Sequence, residues 1–322
     1  MKKEHLILFF MIVLCIVTIP FTTLAQQQAP QNRKRLVEDQ EKKIVVKEDK
    51  PITTCGYERA IRVAGFVSNP PFSWVEMMGE GQQSHLETFG YSYNVFKKIA
   101  KKLKLKYVST GYTSYEDAIG ALKRGEIDVL LSTYLPEGLG FGVTPVYPAY
   151  FKNSFTVYFR EDKKRDFASI DDLKKFKGII RREENIYKLF LNKKALSGLD
   201  LEQVKTAKIA FEMLLDGDAD YLIGSPYSVE SELRRYKLQK KIVSAKVSIL
   251  DASLFFVLSS NTDCVKLAKI LSEEVVAYTH EGSSRDEVMK VVDDWGERFR
   301  YDEGLLPEEK PEENDDWMDP NW

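Results

Sequence analysis

Residues 115–131, YEDAIGALKRGEIDVLL, combine a helix pattern with a strand pattern that follows it directly. The first half of this stretch carries aromatic and apolar residues at helical spacing, namely Tyr115, Ala118, Ile119 and Leu122. This periodic pattern ends at Gly125, the residue best able to take the left-handed conformation of a helix C-terminus. Ile127 to Leu131 is apolar except at Asp128 and predicts a strand buried on both faces. A helix that leads directly into such a strand is typical of a mainly parallel sheet covered by helices.

The same alternation extends in both directions along the chain. Further strands are predicted at 61–66, 105–108 and 221–223. Further helices are predicted around 95–103, 208–216 and 284–299. The last of them begins with a capping box of Ser284 and Glu287 and continues as one apolar stripe. The predicted fold class is therefore α/β.

Both ends of the chain differ from this pattern. Residues 1–25 combine Lys2-Lys3, a short apolar run and a small-residue end at Ala25, which predicts a cleaved secretory signal peptide and export to the periplasm. Residues 26–50 hold seven basic and five acidic side chains and predict a polar arm. Residues 301–322 hold nine acidic side chains against one lysine and predict a disordered acidic tail.

Composition and motifs exclude several classes of function. The formal net charge is −2, and no basic stripe alternates with aromatic residues, so we expect no nucleic-acid partner. Beyond the signal peptide, His85 and His280 are far apart and lack metal-ligand spacing, so we expect no metal site. No phosphate loop, zinc-protease or nucleophile-elbow motif occurs, so we expect neither a cofactor nor catalytic residues. Cys55 and Cys264 remain after export, either paired or as two buried thiols.

The order of several short motifs resembles one known family. These motifs are Pro70-Pro71-Phe72, Gly90-Tyr91, 125–128 (GEID), Tyr150-Phe151, 217–220 (GDAD), and a late Gly282 followed by Trp295. In this order they resemble family 3 solute-binding proteins, the periplasmic receptors of polar amino-acid ABC importers. The resemblance implies a type II periplasmic-binding-protein fold, with two α/β lobes joined by two hinge strands and a small-molecule ligand between them.

The resemblance also implies boundaries and partners. Lobe 1 would comprise 51–152 plus 254–300, and lobe 2 would comprise 153–253, with 155–159 and 254–258 carrying the crossovers. Cys55 and Cys264 would both belong to lobe 1, close enough for a disulfide. The protein would be a monomer that delivers its ligand to an inner-membrane ABC permease.

The predicted cleft departs from the family at its charged anchors. The family's carboxylate-binding arginine falls at Gly140, and its ammonium-binding aspartate falls at Ser225. The Gly-Thr pair that receives the carboxylate falls at about Glu183-Glu184. Because burying a zwitterion without partners for its charges costs several kcal/mol, we expect a ligand other than a standard α-amino acid.

The candidate ligand-binding residues are Phe72, Trp74, Tyr115, Ser132, Thr133, Arg182, Glu183 and Ser225. Aromatic rings at the first three positions suit an aromatic, sugar or organic-cation ligand, with Glu183 or Glu184 as counter-charge. Arg182 is the nearby cation that could restore anion binding. Three interpretations follow: a transport receptor for a non-standard solute, a degenerate module that binds another protein, and, less favoured, an enzyme such as a dehydratase.

Overall fold

A computed structural model describes residues 53–67, 70–134, 139–167, 169–181, 196–282 and 284–300. The predicted signal peptide, polar arm and acidic tail lie outside these residues, as do Arg182 and Glu183. Across the described ranges, no helix combines the length and the hydropathy that a membrane span requires.

Thirteen strands and six α-helices make up the described part of the chain. The strands are β1 Ile61–Phe66, β2 Trp74–Met78, β3 His85–Phe89, β4 Tyr107–Tyr112, β5 Val129–Tyr134, β6 Val143–Pro145, β7 Phe151–Lys152, β8 Phe155–Arg160, β9 Lys177–Arg181, β10 Asp200–Val204, β11 Tyr221–Gly224, β12 Ile242–Leu250 and β13 Ser253–Ser259. The helices are α1 Tyr91–Lys102, α2 Tyr115–Arg124, α3 Ala207–Asp216, α4 Pro226–Arg235, α5 Ala268–His280 and α6 Ser284–Arg298.

The strands form two large sheets and one hairpin. The first sheet has the order β4-β1-β5-β13-β6, with β7 also paired to β13, and we call the part of the chain built on it lobe 1. The second has the order β10-β9-β11-β8-β12 and forms lobe 2. In each sheet three neighbouring strands run parallel, β4-β1-β5 in lobe 1 and β10-β9-β11 in lobe 2, and the strands that begin or end at the crossings pair antiparallel. The hairpin β2–β3 forms a separate two-stranded sheet.

The chain passes between the two sheets twice, at Asn153-Ser154 and at Asp251-Ala252. These two segments are bound to each other: the Asn153 amide donates to the Ala252 carbonyl at 2.8 Å, and the Ser154 hydroxyl donates to Asp251 at 2.7 Å. The crossings lie beside the predicted lobe boundaries. The prediction that 155–159 and 254–258 would themselves cross was wrong, because both segments pair within a single sheet.

Helix ends follow the local chemistry that the sequence displays. Gly125 and Gly217 end α2 and α3 with φ of 74° and 85°, where a side chain would be strained. Ser114 and Thr206 begin the same helices, and each side chain accepts a hydrogen bond from a backbone amide three residues later. The predicted strand at 105–108 is displaced, since β4 begins at Tyr107.

A disulfide closes lobe 1 at its outer end. Cys55 and Cys264 are fully buried and joined, with their Cα atoms 5.1 Å apart, inside the usual range for a disulfide. Asp263 beside them accepts hydrogen bonds from the Cys55 amide at 3.2 Å and from the Arg59 guanidinium at 2.5 Å. Cys55, Asp263 and Cys264 form a cluster of metal-ligand type, but its two sulfurs are bonded to each other.

The largest apolar cluster runs from lobe 1 into lobe 2. In lobe 1 it includes Phe72, Phe96 and Phe256, and in lobe 2 it includes Phe155 and Ile223. The two lobes are therefore packed against each other along the crossings, and the site lies at this boundary.

Candidate functional site

The boundary between the lobes is formed by corresponding edges of the two sheets. In lobe 1, Tyr134 at the carboxyl end of β5 pairs with Leu254, next to the second crossing. In lobe 2, Gly224 at the carboxyl end of β11 pairs with Thr156, just after the first crossing. Ligands of open α/β sheets bind outside the carboxyl ends of the strands, so this boundary is the candidate site.

Lobe 1 contributes a buried cluster of hydroxyl groups. Ser132 has a φ of 57°, unusual for a residue other than glycine, and its hydroxyl donates to that of Ser92 at the start of α1. The Tyr150 hydroxyl donates to the same Ser92 oxygen at 2.6 Å, and burial raises the pKa of Tyr150. Thr133 is buried beside Ser132. The predicted residues Ser132 and Thr133 therefore offer neutral hydroxyls whose orientation is set by neighbours.

Phe72 lies at the same boundary, but its ring is completely covered. It is 0% exposed and contacts the rings of Tyr91 at 6.2 Å, Phe151 at 5.4 Å and Tyr227 at 5.9 Å between centroids. Tyr91 and Phe151 belong to lobe 1, whereas Tyr227 comes from the first turn of α4 in lobe 2. The Tyr227 side chain therefore packs on the Phe72 ring, which by the resemblance would stack on the ligand.

Ser225, the predicted replacement for the ammonium-binding aspartate, also lies at this boundary. It is buried, precedes α4 as its N-cap, and its hydroxyl donates to the Asn153 side-chain oxygen at 2.7 Å. Asn153 in turn donates through its side-chain nitrogen to the Tyr134 hydroxyl. This chain of neutral groups links lobe 2, the first crossing and lobe 1.

Trp74 and Tyr115 contact rings other than that of Phe72. Trp74 is on β2, where it stacks on Phe89 with centroids 6.2 Å apart and donates from its indole nitrogen to Glu76 at 2.8 Å. Tyr115 packs edge-on against Phe66 at 5.3 Å, and burial raises its pKa. Neither ring is among the ring contacts found for Phe72.

Charged side chains are scarce in the buried part of the described chain. They are Asp128, Arg181 and Glu232. Asp128 is held by Arg59 and Arg62 at the amino end of β5, away from the crossings. Arg181 ends β9 at the carboxyl edge of the lobe 2 sheet. Gly140, at the position of the family's arginine, has a φ of 74°.

The sequence analysis missed Asn153, Tyr227 and Arg181. For Tyr227 the sequence does carry a helix-start pattern, since Ser225-Pro226 follows a buried strand. A helix that begins there places Tyr227 at the lobe boundary. For Asn153 there was no such pattern, since its role depends on contacts with Tyr134 and Ser225 from distant parts of the chain.

Helix α6 makes further contacts between the lobes. At its start, Glu287 accepts a hydrogen bond from Tyr278 of lobe 1 at 2.7 Å. In its middle, Asp293 pairs with Arg234 of α4 in lobe 2, and Arg235 of the same helix lies over the Trp295 ring. The two lobes are thus joined by α6 as well as by the two crossings.

No family model matches the chain, and no curated protein matches it. A histidine kinase sensor domain with similarity to periplasmic binding proteins matches with 19% identity over 72% of this chain and 95% of its own, at a TM-score of 0.56. The GluR0 ligand-binding core, in complex with L-glutamate, matches with 20% identity over 76% of this chain and 100% of its own, at a TM-score of 0.55.

An amino-acid ABC transporter substrate-binding protein, AbpA from Streptococcus pneumoniae bound to L-arginine, matches with 14% identity over 76% of this chain and 97% of its own, at a TM-score of 0.55. These structural neighbours are binding proteins and a sensor domain, and at such low identity the likeness concerns the fold. The predicted fold class is confirmed: the chain has the two-lobed α/β fold of type II periplasmic binding proteins.

Proposed function

We propose that this protein is a periplasmic solute-binding protein that holds an uncharged solute between its lobes, and not a standard α-amino acid. The single observation that carries the proposal is the neutral bridge Tyr134–Asn153–Ser225 at the lobe boundary. In this bridge Ser225 occupies the position of the aspartate that the resemblance implies. The groups of the bridge are two hydroxyls and an amide. Such groups orient a neutral polar solute but leave an ammonium group without a counter-charge.

Lobe 1 supports the same conclusion. Its hydroxyl cluster at Ser92, Ser132 and Tyr150 carries no formal charge, and Gly140 offers no cation for a carboxylate. A carboxylate bound there would lose charge-assisted hydrogen bonds, each worth roughly 1.5–3 kcal/mol. The loss of two such bonds lowers affinity by on the order of a hundredfold or more.

We further propose delivery of the solute to an inner-membrane permease by a monomeric, non-enzymatic protein. Export is supported by the signal-like residues 1–25, and a binding role is supported by the binding proteins among the structural neighbours. The buried part of the described boundary holds hydroxyls, an amide, aromatic rings and the Arg181 guanidinium, and the charged pair Lys152–Asp251 at the crossings is exposed. An exposed ion pair of this kind does not supply the perturbed acid and base that acid–base catalysis uses.

Calorimetry on the purified mature protein tests the ligand class. Glutamate, glutamine, histidine and arginine should show no micromolar binding, while a thermal-shift screen of sugars and other uncharged polar solutes should yield a stabilising solute. Ser225→Ala should weaken the binding of that solute about tenfold, whereas Ser248→Ala, which loses a hydroxyl bonded to Phe155 and Leu250 within lobe 2, should not. Micromolar binding of any of the four amino acids would overturn the proposal.

One observation favours a second candidate, an accessory module whose cleft is closed by its own side chains. Phe72 is 0% exposed beneath Tyr227, Tyr91 and Phe151. Small-angle scattering separates the two functions. A transport receptor should become more compact when a solute from the screen is added, whereas a self-closed module should keep one radius of gyration throughout the screen.

A further inference from the structure

Three aromatic rings from the two lobes meet at the boundary. Tyr227 of lobe 2 lies 5.9 Å from Phe72 and 5.2 Å from Phe151, and these two rings of lobe 1 lie 5.4 Å from each other. Tyr227 meets both at steep angles of 81° and 68°, the edge-to-face arrangement that aromatic pairs favour. Its ring therefore fits a two-sided aromatic seat formed by the other lobe.

The backbone that carries Tyr227 is firmly held. Tyr227 is the second residue of α4, directly after the N-cap Ser225 and the helix-initiating Pro226. Ser225 is bonded to Asn153 of the first crossing, and the Tyr227 carbonyl accepts a hydrogen bond from Ser231 at 2.9 Å. The phenol ring is thus presented by a helix start with a fixed orientation.

The seat itself is deep and apolar. Phe72 is 0% exposed and Phe151 is 6% exposed, whereas Tyr227 is only half-buried. The Tyr91 ring closes the seat from lobe 1, 6.2 Å from Phe72 and 5.1 Å from Phe151. If the Tyr227 side chain were removed, Phe72, Phe151 and Tyr91 would line the resulting space. Apolar cavities of this kind stay dry and accept small aromatic molecules.

We infer that Tyr227 is a built-in occupant of an aromatic subsite formed by Phe72 and Phe151, and that it determines specificity by excluding aromatic solutes of the phenol class from this subsite. The inference rests on the proposed function for the position of the solute site. It adds that a planar, uncharged ring competes with the protein's own phenol side chain. Solutes that bind the wild-type protein must then use the polar groups around Ser225 and Asn153.

The test replaces Tyr227 and uses p-cresol, which has the structure of the tyrosine side chain, as the probe. Tyr227→Ala should lower the melting temperature of the full mature protein by roughly 5–10 °C, because the ring contacts are lost. Saturating p-cresol should recover at least half of this loss in Tyr227→Ala. Calorimetry should give a Kd of about 1 mM or tighter, and at least tenfold weaker binding to wild type.

Two variants serve as controls. Tyr227→Phe keeps the ring and should bind p-cresol no better than wild type. Tyr236→Ala removes a buried tyrosine at the end of the same helix, where it contacts Phe211 in the lobe 2 core, and it measures how much p-cresol stabilises a space left by a deleted ring outside the proposed subsite; the gain in Tyr227→Ala should exceed it. If Tyr227→Ala does not fold, Tyr227→Leu leaves a smaller space and is tested with phenol, with the same expected gain over wild type.

The outcomes separate this inference from the proposed function. A folded Tyr227→Ala that binds p-cresol no better than wild type or Tyr236→Ala overturns the inference, whatever solute the wild-type protein binds. A wild-type protein that fails the whole solute screen, together with a Tyr227→Ala variant that binds p-cresol, supports the aromatic subsite and removes the proposed transport role.

Discussion

Replacement of Asp128 by asparagine perturbs the charged cluster that holds the start of β5. The Asp128 carboxylate is fully buried and accepts hydrogen bonds from both guanidinium groups of its partners: from Arg59 at 2.9 and 3.1 Å, and from Arg62 at 2.9 and 3.0 Å. It also accepts a hydrogen bond from the Arg62 backbone amide at 2.9 Å. Asparagine has nearly the same shape but presents an NH2 group to one of these donors.

The size of the effect follows from the pKa of the carboxyl. Burial alone would raise the pKa of Asp128, but hydrogen bonds from Arg62 and Arg59 outweigh it and lower the pKa to about 2, from 3.8. At 1.36 kcal/mol per pKa unit, the ionised carboxylate stabilises the fold by about 2 kcal/mol. Breaking a buried pair can cost 3–5 kcal/mol. Because the Arg59 and Arg62 side chains are 37% and 40% exposed, water compensates in part, and we expect a loss of about 2–3 kcal/mol.

The pH dependence has a defined direction. A carboxyl whose pKa is lowered in the folded state stabilises the protein fully above its unfolded pKa, and this contribution disappears as the pH falls. The advantage of wild type over Asp128→Asn should therefore be constant from pH 7 down to about pH 4 and should shrink between pH 4 and pH 2.

Urea unfolding followed by tryptophan fluorescence measures this difference at each pH. Glu126→Gln is the matched control, because it neutralises an exposed carboxylate that pairs with Arg124 at 2.7 Å, and an exposed pair of this kind contributes 0–1 kcal/mol. A loss of stability in Asp128→Asn that is no larger than in Glu126→Gln at pH 7 would contradict a stabilising role of the buried carboxylate. An unchanged difference between wild type and Asp128→Asn from pH 7 to pH 2.5 would contradict the lowered pKa.

Three further changes have expected outcomes. Replacing both Cys55 and Cys264 by serine opens a loop with a sequence separation of 209 and should lower the free energy of unfolding by about 3–5 kcal/mol in urea titrations, whereas a loss below 1 kcal/mol would show the bridge to be dispensable. Gly178→Ala would place a Cβ 2.2 Å from the Tyr221 ring and should cost about 1–3 kcal/mol, so an unchanged melting temperature would contradict the packing described for β9. Trp74→Phe keeps a ring to stack on Phe89 and should leave the affinity for any solute unchanged, whereas a tenfold loss in calorimetry would return Trp74 to the ligand site.

Much of the fold could be predicted because its signals are local. The predicted strand 61–66 became β1 without a shift of either end, and the glycine-terminated helices ended at Gly125 and Gly217 as expected. These features depend on side-chain spacing and on the backbone freedom of glycine, both of which can be seen within a few residues of sequence. The order of such elements along the chain was enough to predict two α/β lobes.

The hairpin β2–β3 was not predicted, because its strands are half-exposed and acquire their pairing from tertiary contacts. Gly111 of β4 approaches Val75 and Leu86 so closely that a Cβ there would clash, and Thr88 donates to the Thr110 carbonyl at 2.6 Å. The alternation of apolar and polar residues predicts a strand poorly when the strand is buried by a segment that is distant in sequence. Within this hairpin Trp74 pairs with Phe89.

The sequence shows that Gly140 and Ser225 carry no charge at the positions where the resemblance expects an arginine and an aspartate. What these positions contact instead depends on tertiary packing. Ser225 meets Asn153, 72 residues away, and Tyr227 meets Phe72 across the lobe boundary. Such contacts produce no periodic pattern in the sequence, because they depend on how the two lobes pack against each other. For this reason the chemistry of the site was partly predictable from the sequence, and its occupant was not.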